Sequence, residues 1–449
     1  MDLRGREVLV VGTKRSGLGA VQLLLEQGAR VRAMDAETLA AEEQAKFDRL
    51  GVPVVSQKEE NLASPDLIVL SPAVPFELPM FGAARRRGIR VIGELELASR
   101  FLRGPIIGIT GSNGKTTTTA LTGHLLRECK IPVQIGGNIG VAVTSLVETS
   151  RPDHWNLLEV SSFQLESIEQ FRPRIAACLN VTPDHLDRHH DFAGYAAVKM
   201  RMFENQQESD STVMNYDDET CRELYGPRIK ACQYWFSSSR RVPAGMWLER
   251  DRVLYDGREF MTRSQIRLRG MHNIENVMAA ALMAHLAGAD LESIACAVET
   301  FPGVEHRIEF VRELDGVQYF NDSKATNVDA TLKAIDAFDG NLWLILGGKD
   351  KGASYEPLVE PLRRKARAAL LIGAEPPYPY AAAPLLKKAF DGRVPFADCG
   401  TLDTALKYAR EHATRGDVVL LSPACASFDQ FRSYENRGEC FKQLVKELL

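Results

Sequence analysis

The stretch Ile106-Ile107-Gly108-Ile109-Thr110-Gly111-Ser112-Asn113-Gly114-Lys115-Thr116-Thr117 decides how this chain is read. An apolar, β-branched run enters a glycine loop, and a helical pattern over Lys115–Arg127 leaves it. Such a strand–loop–helix unit turns backbone N–H groups and a helix N-terminus toward a polyphosphate. In that setting Gly111, Ser112, Asn113 and Gly114 line the cradle, with Thr117 just inside the helix. Lys115 reaches the β- and γ-phosphates, and the Thr116 hydroxyl meets Mg2+. The strict G-x-x-x-x-G-K-[ST] spacing places its first glycine at 109, where this chain has Ile; Gly108 and Gly111 flank that slot. The G-K-T-T core keeps its structural context. Kinases, GTPases, motors and ligases share the device, so the loop alone indicates a nucleoside triphosphate and leaves the reaction open.

Outward from the loop, short Val/Ile/Leu-rich runs alternate with helical patterns. Strands are expected at Glu7–Val11, Arg30–Asp35, Asp66–Ser71, Ile106–Thr110, Trp155–Val160, Ile175–Val181, Leu342–Leu346, Ala369–Ile372 and Val418–Ser422. Most lack polar alternation, the pattern of parallel strands covered on both faces. Gly19–Gln27, Lys115–Arg127, Val277–Ala287 and Leu402–Arg410 read as helices. The class is α/β. At roughly 150 residues per domain, 449 residues suggest three domains. A break falls near Gly93–Leu97, before the new strand that begins at Pro105, and another at Phe301-Pro302-Gly303. The expected division is 1–95, a Rossmann-like domain; 96–301, a central P-loop ATPase-type domain with a mostly parallel sheet; and 302–449, a second Rossmann-like domain.

A composition of 45% hydrophobic and 25% charged residues excludes a mainly disordered or fibrous protein. The net charge of -4 speaks against a nucleic-acid partner. No apolar run approaches the ~18–20 residues that span a bilayer. The N-terminal sequence carries no secretory pattern, so a cytoplasmic protein without a membrane partner is expected. The eight Cys are scattered without a C-x-x-C pair, which disfavours zinc or a disulfide framework and reads as buried thiols.

Several residues carry chemistry by position. Glu159 ends the strand beside the phosphate loop, where an acid can meet Mg2+ or cap the turn. Asn180-Val181-Thr182-Pro183-Asp184-His185-Leu186-Asp187-Arg188-His189-His190 follows the next strand. His185 there suits a ligand contact or a local hydrogen-bonded turn, although Mg2+ prefers oxygen donors. His189 and His190 read as solvated neighbours. Lys199, in Tyr195-Ala-Ala-Val-Lys199-Met-Arg201, reads as a surface lysine by itself.

Taken together, the motifs are more specific than any one of them. T-G-S-N-G-K-T-T, L-E-V-S-S-F-Q-L-E, N-V-T-P-D-H-L-D-R-H and Y-A-A-V-K-M-R occur in order. They are followed by Gly270-Met-His272-Asn273-Ile-Glu-Asn276, Glu305-His306-Arg307, Asn321-Asp322-Ser323-Lys324-Ala325-Thr326-Asn327 and Leu421-Ser-Pro-Ala-Cys-Ala-Ser427-Phe428-Asp429-Gln430. The set resembles the Mur ligases of bacterial cell-wall synthesis over essentially the whole chain, most closely those that add D-glutamate.

The resemblance implies an ATP-dependent amide ligase that joins D-glutamate to UDP-N-acetylmuramoyl-L-alanine through an acyl phosphate. It implies Glu159, His185, Thr116 and Lys199 at the Mg2+ site, Lys199 as a carbamate, with Lys115, Glu159, His185 and Lys199 in the catalytic set. A buried lysine loses its proton more readily, and its CO2 adduct is a carboxylate-like anion. Asn273, Asn276, Arg307, Asp322 and Lys324 correspond to ATP-site residues; two of these, Arg307 and Asp322, imply that the third domain closes onto the second. Thr326, Lys351, Ser427, Phe428 and Tyr434 correspond to the D-glutamate pocket, where a cation and hydroxyl donors suit a dicarboxylate. Lys351 rather than Lys349 fits the family's Gly-Gly-x-x-Lys spacing. His185 and the Lys199 carbamate are both candidates to take the proton from the D-glutamate amine. A monomer is expected.

The first domain opens with Val8–Gly12 and Thr13-Lys14-Arg15-Ser16-Gly17-Leu18-Gly19, with Asp35 ending the next strand. The spacing is G-x4-G-x-G rather than the nicotinamide fingerprint G-x-G-x-x-G. By the resemblance this turn holds the uridine diphosphate, with Arg15, Ser16, Asp35, Ser71, Pro72 and Asn138 nearby. Ala36 and Glu37 stand where the family often offers Thr and Arg. Rival readings are another Mur ligase or a folylpolyglutamate synthase, a nicotinamide dehydrogenase, and a non-catalytic ATP-dependent switch.

Overall fold

A computed structural model describes residues 1–62, 65–373 and 380–449, apart from the Asp187 side chain. Among the described residues the strands form three sheets of five, nine and six, each belonging to its own α/β domain. The chain divides into two compact units, Met1–Arg267 with His272–Phe301, and Leu268–Met271 with Pro302–Leu449.

The first unit holds two sheets. The smaller runs Val54–Ser56, Arg30–Asp35, Glu7–Val11, Leu67–Leu70, Arg90–Gly93, all parallel. Its first turn feeds the helix Arg15–Glu26. Gly17 is there for space: a Cβ would lie 1.7 Å from the Gly12 carbonyl oxygen. The larger sheet runs Arg258–Thr262, Arg252–Tyr255, Gly245–Glu249, Cys232–Ser237, Ser211–Asn215, Ile175–Cys178, Ile106–Thr110, Trp155–Glu159, Val133–Gly137. Its strands are parallel except for the meander Gly245–Glu249, Arg252–Tyr255, Arg258–Thr262. The two sheets are riveted by Glu96, whose fully buried carboxylate accepts the backbone N–H groups of Glu169, Gln170 and Phe171 at 2.9, 3.0 and 2.9 Å.

The second unit has one sheet, ordered Glu309–Leu314, Val317–Asn321, Val418–Leu421, Leu342–Gly347, Ala366–Ile372, Phe396–Gly400. The first pair is antiparallel and the rest parallel. Its faces are covered by separate apolar clusters, one around Leu344, Leu346 and Phe390, the other around Tyr319, Ile345 and Phe441.

The expected strands form, with ends shifted by a residue or a few: Ile175–Cys178 stops short of Val181, and Ala366–Ile372 starts earlier. Loop hydrogen bonds replace the ladder from Leu179 onward. The antiparallel edges escape the apolar-run criterion because they alternate or mix polar residues, as in Glu309–Leu314. Among the described residues no helix is long and apolar enough to cross a membrane.

Candidate active site

The strand Ile106–Thr110 is buried along its whole length between Trp155–Glu159 and Ile175–Cys178. Three neighbouring parallel strands therefore deliver their following loops to one edge, the usual ligand edge of an open α/β sheet. Gly114 precedes the helix Lys115–Glu128 at φ +85°, and a Cβ on it would lie 2.5 Å from Asn276 Oδ1. Only glycine satisfies both constraints without strain. The loop is pinned from the neighbouring strand. Asn113 N–H donates to Asn180 Oδ1 at 2.8 Å, and Asn180 Nδ2 donates back to Asn113 O at 3.1 Å. Ser112 Oγ pairs with the Tyr195 hydroxyl at 3.0 Å. The Lys115 ammonium donates to Gly111 O at 2.8 Å and Ser112 O at 2.9 Å. Thr116 begins the helix beside the buried Thr117. Asn276 accepts from Thr118 Oγ1 at 3.1 Å and donates to Asn273 Oδ1 at 2.9 Å, so both expected asparagines meet the helix of the phosphate loop.

Glu159 sits beside the loop, in register with Ile109. It is 1% exposed. Oε1 accepts from Asn138 Nδ2 at 2.9 Å, while the buried Oε2 has no hydrogen-bond partner. A buried carboxylate oxygen left unpaired is costly unless a cation completes it. Lys199 is equally withdrawn, at 1% exposure. Its ammonium donates to Gly111 O at 2.8 Å and lies 4.7 Å over the Tyr195 ring. Burial, helped by the nearby Lys115 charge, pulls its pKa down to about 7. The surface reading of Lys199 is thus overturned: the helix Phe192–Met200 turns it inward under the loop. His185 takes a left-handed backbone at φ +51°. Its half-exposed imidazole packs on Phe163 at 4.8 Å, with Nε2 3.6 Å from Asp184 Oδ2. His189 is buried, not solvated, with Nε2 3.0 Å from Ser162 Oγ; His190 is exposed as expected.

In the first domain, Arg15 and Ser16 are the first two residues of the helix Arg15–Glu26, and Arg15 Nη1 donates to Gly140 O at 2.7 Å. Asp35 accepts Thr13 N–H at 2.8 Å and Thr13 Oγ1 at 2.5 Å. Burial acts to raise its pKa, but these bonds outweigh it and hold the carboxyl below its usual range. Ser71 is buried just past Leu67–Leu70, and Pro72 follows it.

In the second unit, the fully buried Asp322 accepts Ile308 N–H at 3.2 Å and Ser422 Oγ at 2.9 Å. Burial pushes its pKa up to about 6 against the opposing charges of Arg307 and Lys324. The Lys324 ammonium lies 5.9 Å over the Tyr434 ring, and Tyr434 packs edge-on to His306. Tyr434 thus joins the Lys324 end of the motif. Lys351 Nζ reaches Thr326 Oγ1 at 3.4 Å, while Lys349 is tied by its backbone to Ala426 and by its side chain to Tyr380. Ser427 is buried, and Phe428 stands 64% exposed beside it.

Comparison with known proteins fits these groups into one lineage. Family models match residues 6–93 (Mur ligase MurD-like, N-terminal domain), 109–284 (Mur ligase middle domain) and 306–425 (Mur ligase, glutamate ligase domain). The UDP-N-acetylmuramoylalanine–D-glutamate ligase of Solibacter usitatus is 54% identical over 448 residues, covering 100% of this chain and 99% of its own. The chain belongs to the Mur ligase family. The Koribacter versatilis ligase of the same name is 46% identical over 456 residues, with coverage of 100% and 99%. Among solved structures, UDP-N-acetylmuramate-alanine ligase MurC of Thermotoga maritima matches at TM-score 0.59 and 18% identity, covering 98% of this chain and 99% of that one. MurF ligase from Thermotoga maritima, in complex with ADP, matches at TM-score 0.59 and 18% identity, with coverage of 100% and 97%. These two likenesses establish the shared fold.

This Mur ligase also uses residues that motif reading passed over. Asn180 and Tyr195 stood inside quoted motifs, but their spacing did not announce that they brace the phosphate loop. Arg437 gave no local signal. It lies on the amphipathic helix Tyr434–Glu447 yet is 1% exposed, with Nε 2.9 Å from Ser323 Oγ and Nη1 3.2 Å from Cys425 O. It clips together the motifs that carry Asp322 and Ser427. The thiol expectation is only partly met: Cys178, Cys221, Cys399 and Cys425 are buried, whereas Cys232 and Cys296 are exposed.

Proposed function

We propose that this chain joins D-glutamate to UDP-N-acetylmuramoyl-L-alanine in an ATP-dependent amide synthesis, as a cytoplasmic monomer. One observation carries the reading: the phosphate loop, Glu159 and Lys199 converge at one sheet edge in a chain 54% identical over its length to a ligase of that name.

The N–H groups of Gly111–Gly114 and the start of the helix Lys115–Glu128 receive the polyphosphate. Lys115 exchanges its loop carbonyls for phosphate oxygens and stabilises the charge that spreads as the γ-phosphoryl moves to the acceptor's carboxylate. Asn273 and Asn276, with Arg307, Asp322 and Lys324, form the rest of the nucleotide set. The donor set fits Mg2+: the unpartnered buried Oε2 of Glu159, the Thr116 hydroxyl, His185, and Lys199 as a carbamate. When bound, the ion supplies a charge clamp on the phosphate oxygens. Lys199 becomes a ligand when its neutral amine attacks CO2, forming an N–C bond and releasing a proton. A pKa near 7 makes that amine available at neutral pH. Arg15, Ser16, Asp35, Ser71, Pro72 and Asn138 hold the nucleotide-sugar. Thr326, Lys351, Ser427, Phe428 and Tyr434 hold D-glutamate, whose deprotonated amine attacks the acyl carbon as phosphate leaves.

The test is phosphate release with ATP and Mg2+ over a panel of UDP-muramyl acceptors and amino acids. Release above blanks is expected only when UDP-N-acetylmuramoyl-L-alanine and D-glutamate are both present. Release no greater than in blanks with that pair overturns the reading. Release with a different acceptor or amino acid reassigns the substrate.

A further inference from the structure

Arg188 follows His185 by three residues, and its side chain is only 14% exposed. Glu166, itself largely buried, accepts Nε at 2.9 Å and Nη2 at 2.6 Å in a two-pronged pair. The same guanidinium reaches back to the first domain. Nη2 donates to Val74 O at 3.0 Å and to Pro72 O at 3.5 Å, and Nη1 donates to Ala73 O at 3.3 Å. Those three carbonyls follow Ser71, whose own carbonyl accepts the Val74 N–H at 2.9 Å to close the turn. A planar fork can serve a carboxylate and a row of carbonyls together; an ammonium cannot present that geometry. The guanidinium also rests 4.9 Å over the Phe163 ring, the ring against which His185 packs at 4.8 Å.

We propose that Arg188 is a positioning residue for the nucleotide-sugar acceptor. It touches the turn carrying Ser71 and Pro72 on one side and the Phe163–His185 pair on the other. It thereby sets the span between the end that grips the uridine diphosphate and the end where the acceptor's carboxylate is activated. Glu166 neutralises its charge, so the desolvated cation is tolerated. The proposal rests on the ligase reading above, because it takes its two ends from the residues assigned there.

Two variants of the full chain separate positioning from simple cohesion. Arg188→Lys keeps a positive charge beside Glu166 but loses the fork. The double variant Arg188→Met with Glu166→Gln removes both charges and leaves no unpaired buried ion. Calorimetric binding of UDP-N-acetylmuramoyl-L-alanine and of ATP is measured for both variants, together with KM for each. The acceptor's Kd and KM are expected to rise about tenfold or more in both variants, since small misplacements are expensive in an aligned site. ATP affinity should stay within about twofold. Acceptor affinity equal to wild type, or equal losses for acceptor and ATP, overturns the positioning role. If Arg188→Lys fails to fold, the double variant decides alone. A wild-type chain that binds no acceptor overturns the ligase reading and this proposal with it. Normal wild-type binding beside unimpaired variants overturns the positioning role only.

Discussion

At the residue scale, two titratable groups owe their character to burial. Asp322 is pushed up to about 6 because its charge is taken out of water, with Arg307 only partly offsetting the effect. Below that pH it is neutral, and above it ionised. If the carboxylate serves the nucleotide, kcat/KM for ATP falls as pH drops from 7 to 5, and Asp322→Asn flattens that limb. An identical pH limb in the variant would remove Asp322 from the site. The linkage has the opposite sense for stability: between the ordinary aspartate range and about 6 the folded state holds the extra proton, so this group's contribution declines as pH rises through that window. Lys199 is buried in the reverse sense, its cation disfavoured beside Lys115. Lys199→Ala should lower turnover roughly a hundredfold, the scale of losing one group that stabilises transition-state charge, and an added short carboxylate should restore part of it. Wild-type turnover in Lys199→Ala would sink the carbamate role. Neither group's burial could be read from its neighbours in sequence. Asp322 follows an apolar strand, but Lys199 sits in a helical stretch whose inward face only packing defines.

At the element scale, the most legible feature is the strand–glycine loop–helix unit, because its constraints are local. The first-domain turn is similar, and it separates two glycines that look alike in composition. At Gly17 a Cβ would strike the Gly12 carbonyl at 1.7 Å, backbone against backbone. At Gly82, in the helix Pro79–Arg86, the nearest atom is a flexible arginine terminus at 3.6 Å. Gly17→Ala should therefore destabilise the fold and weaken binding of the UDP substrate. Gly82→Ala should be neutral or stabilise by roughly 0.5–1 kcal/mol through helix entropy. Denaturant titration of both variants checks the contrast; equal midpoints would refute it. The parallel strands were legible because burial on both faces writes an unbroken apolar run. The meander Gly245–Glu249, Arg252–Tyr255, Arg258–Thr262 was not, because its half-exposed strands carry Arg, Glu and Gly among their apolar residues.

At the scale of the whole molecule, three α/β domains make a division of labour for a neutral-to-acidic chain that handles anionic ligands. With a net charge of -4, no global positive field gathers them. Local devices are placed where the anions would sit: helix N-termini, Lys115, Lys351, Arg15 and the cation completed at Glu159. Glu96 and Arg188 show how such places are held, each bonding backbone groups of a segment far away in sequence. The amino-acid sequence by itself determined the α/β class, the phosphate loop and the ordered motifs that mark the family. It could do so because apolar periodicity, glycine spacing and a helix start act over a few residues. Only the tertiary structure decided that Glu159 keeps a buried oxygen unpaired, that Lys199 lies beneath the phosphate loop, that His189 is internal, and that Arg188 spans two sheets. Those properties come from desolvation and hydrogen bonding between segments that meet only when the chain has folded.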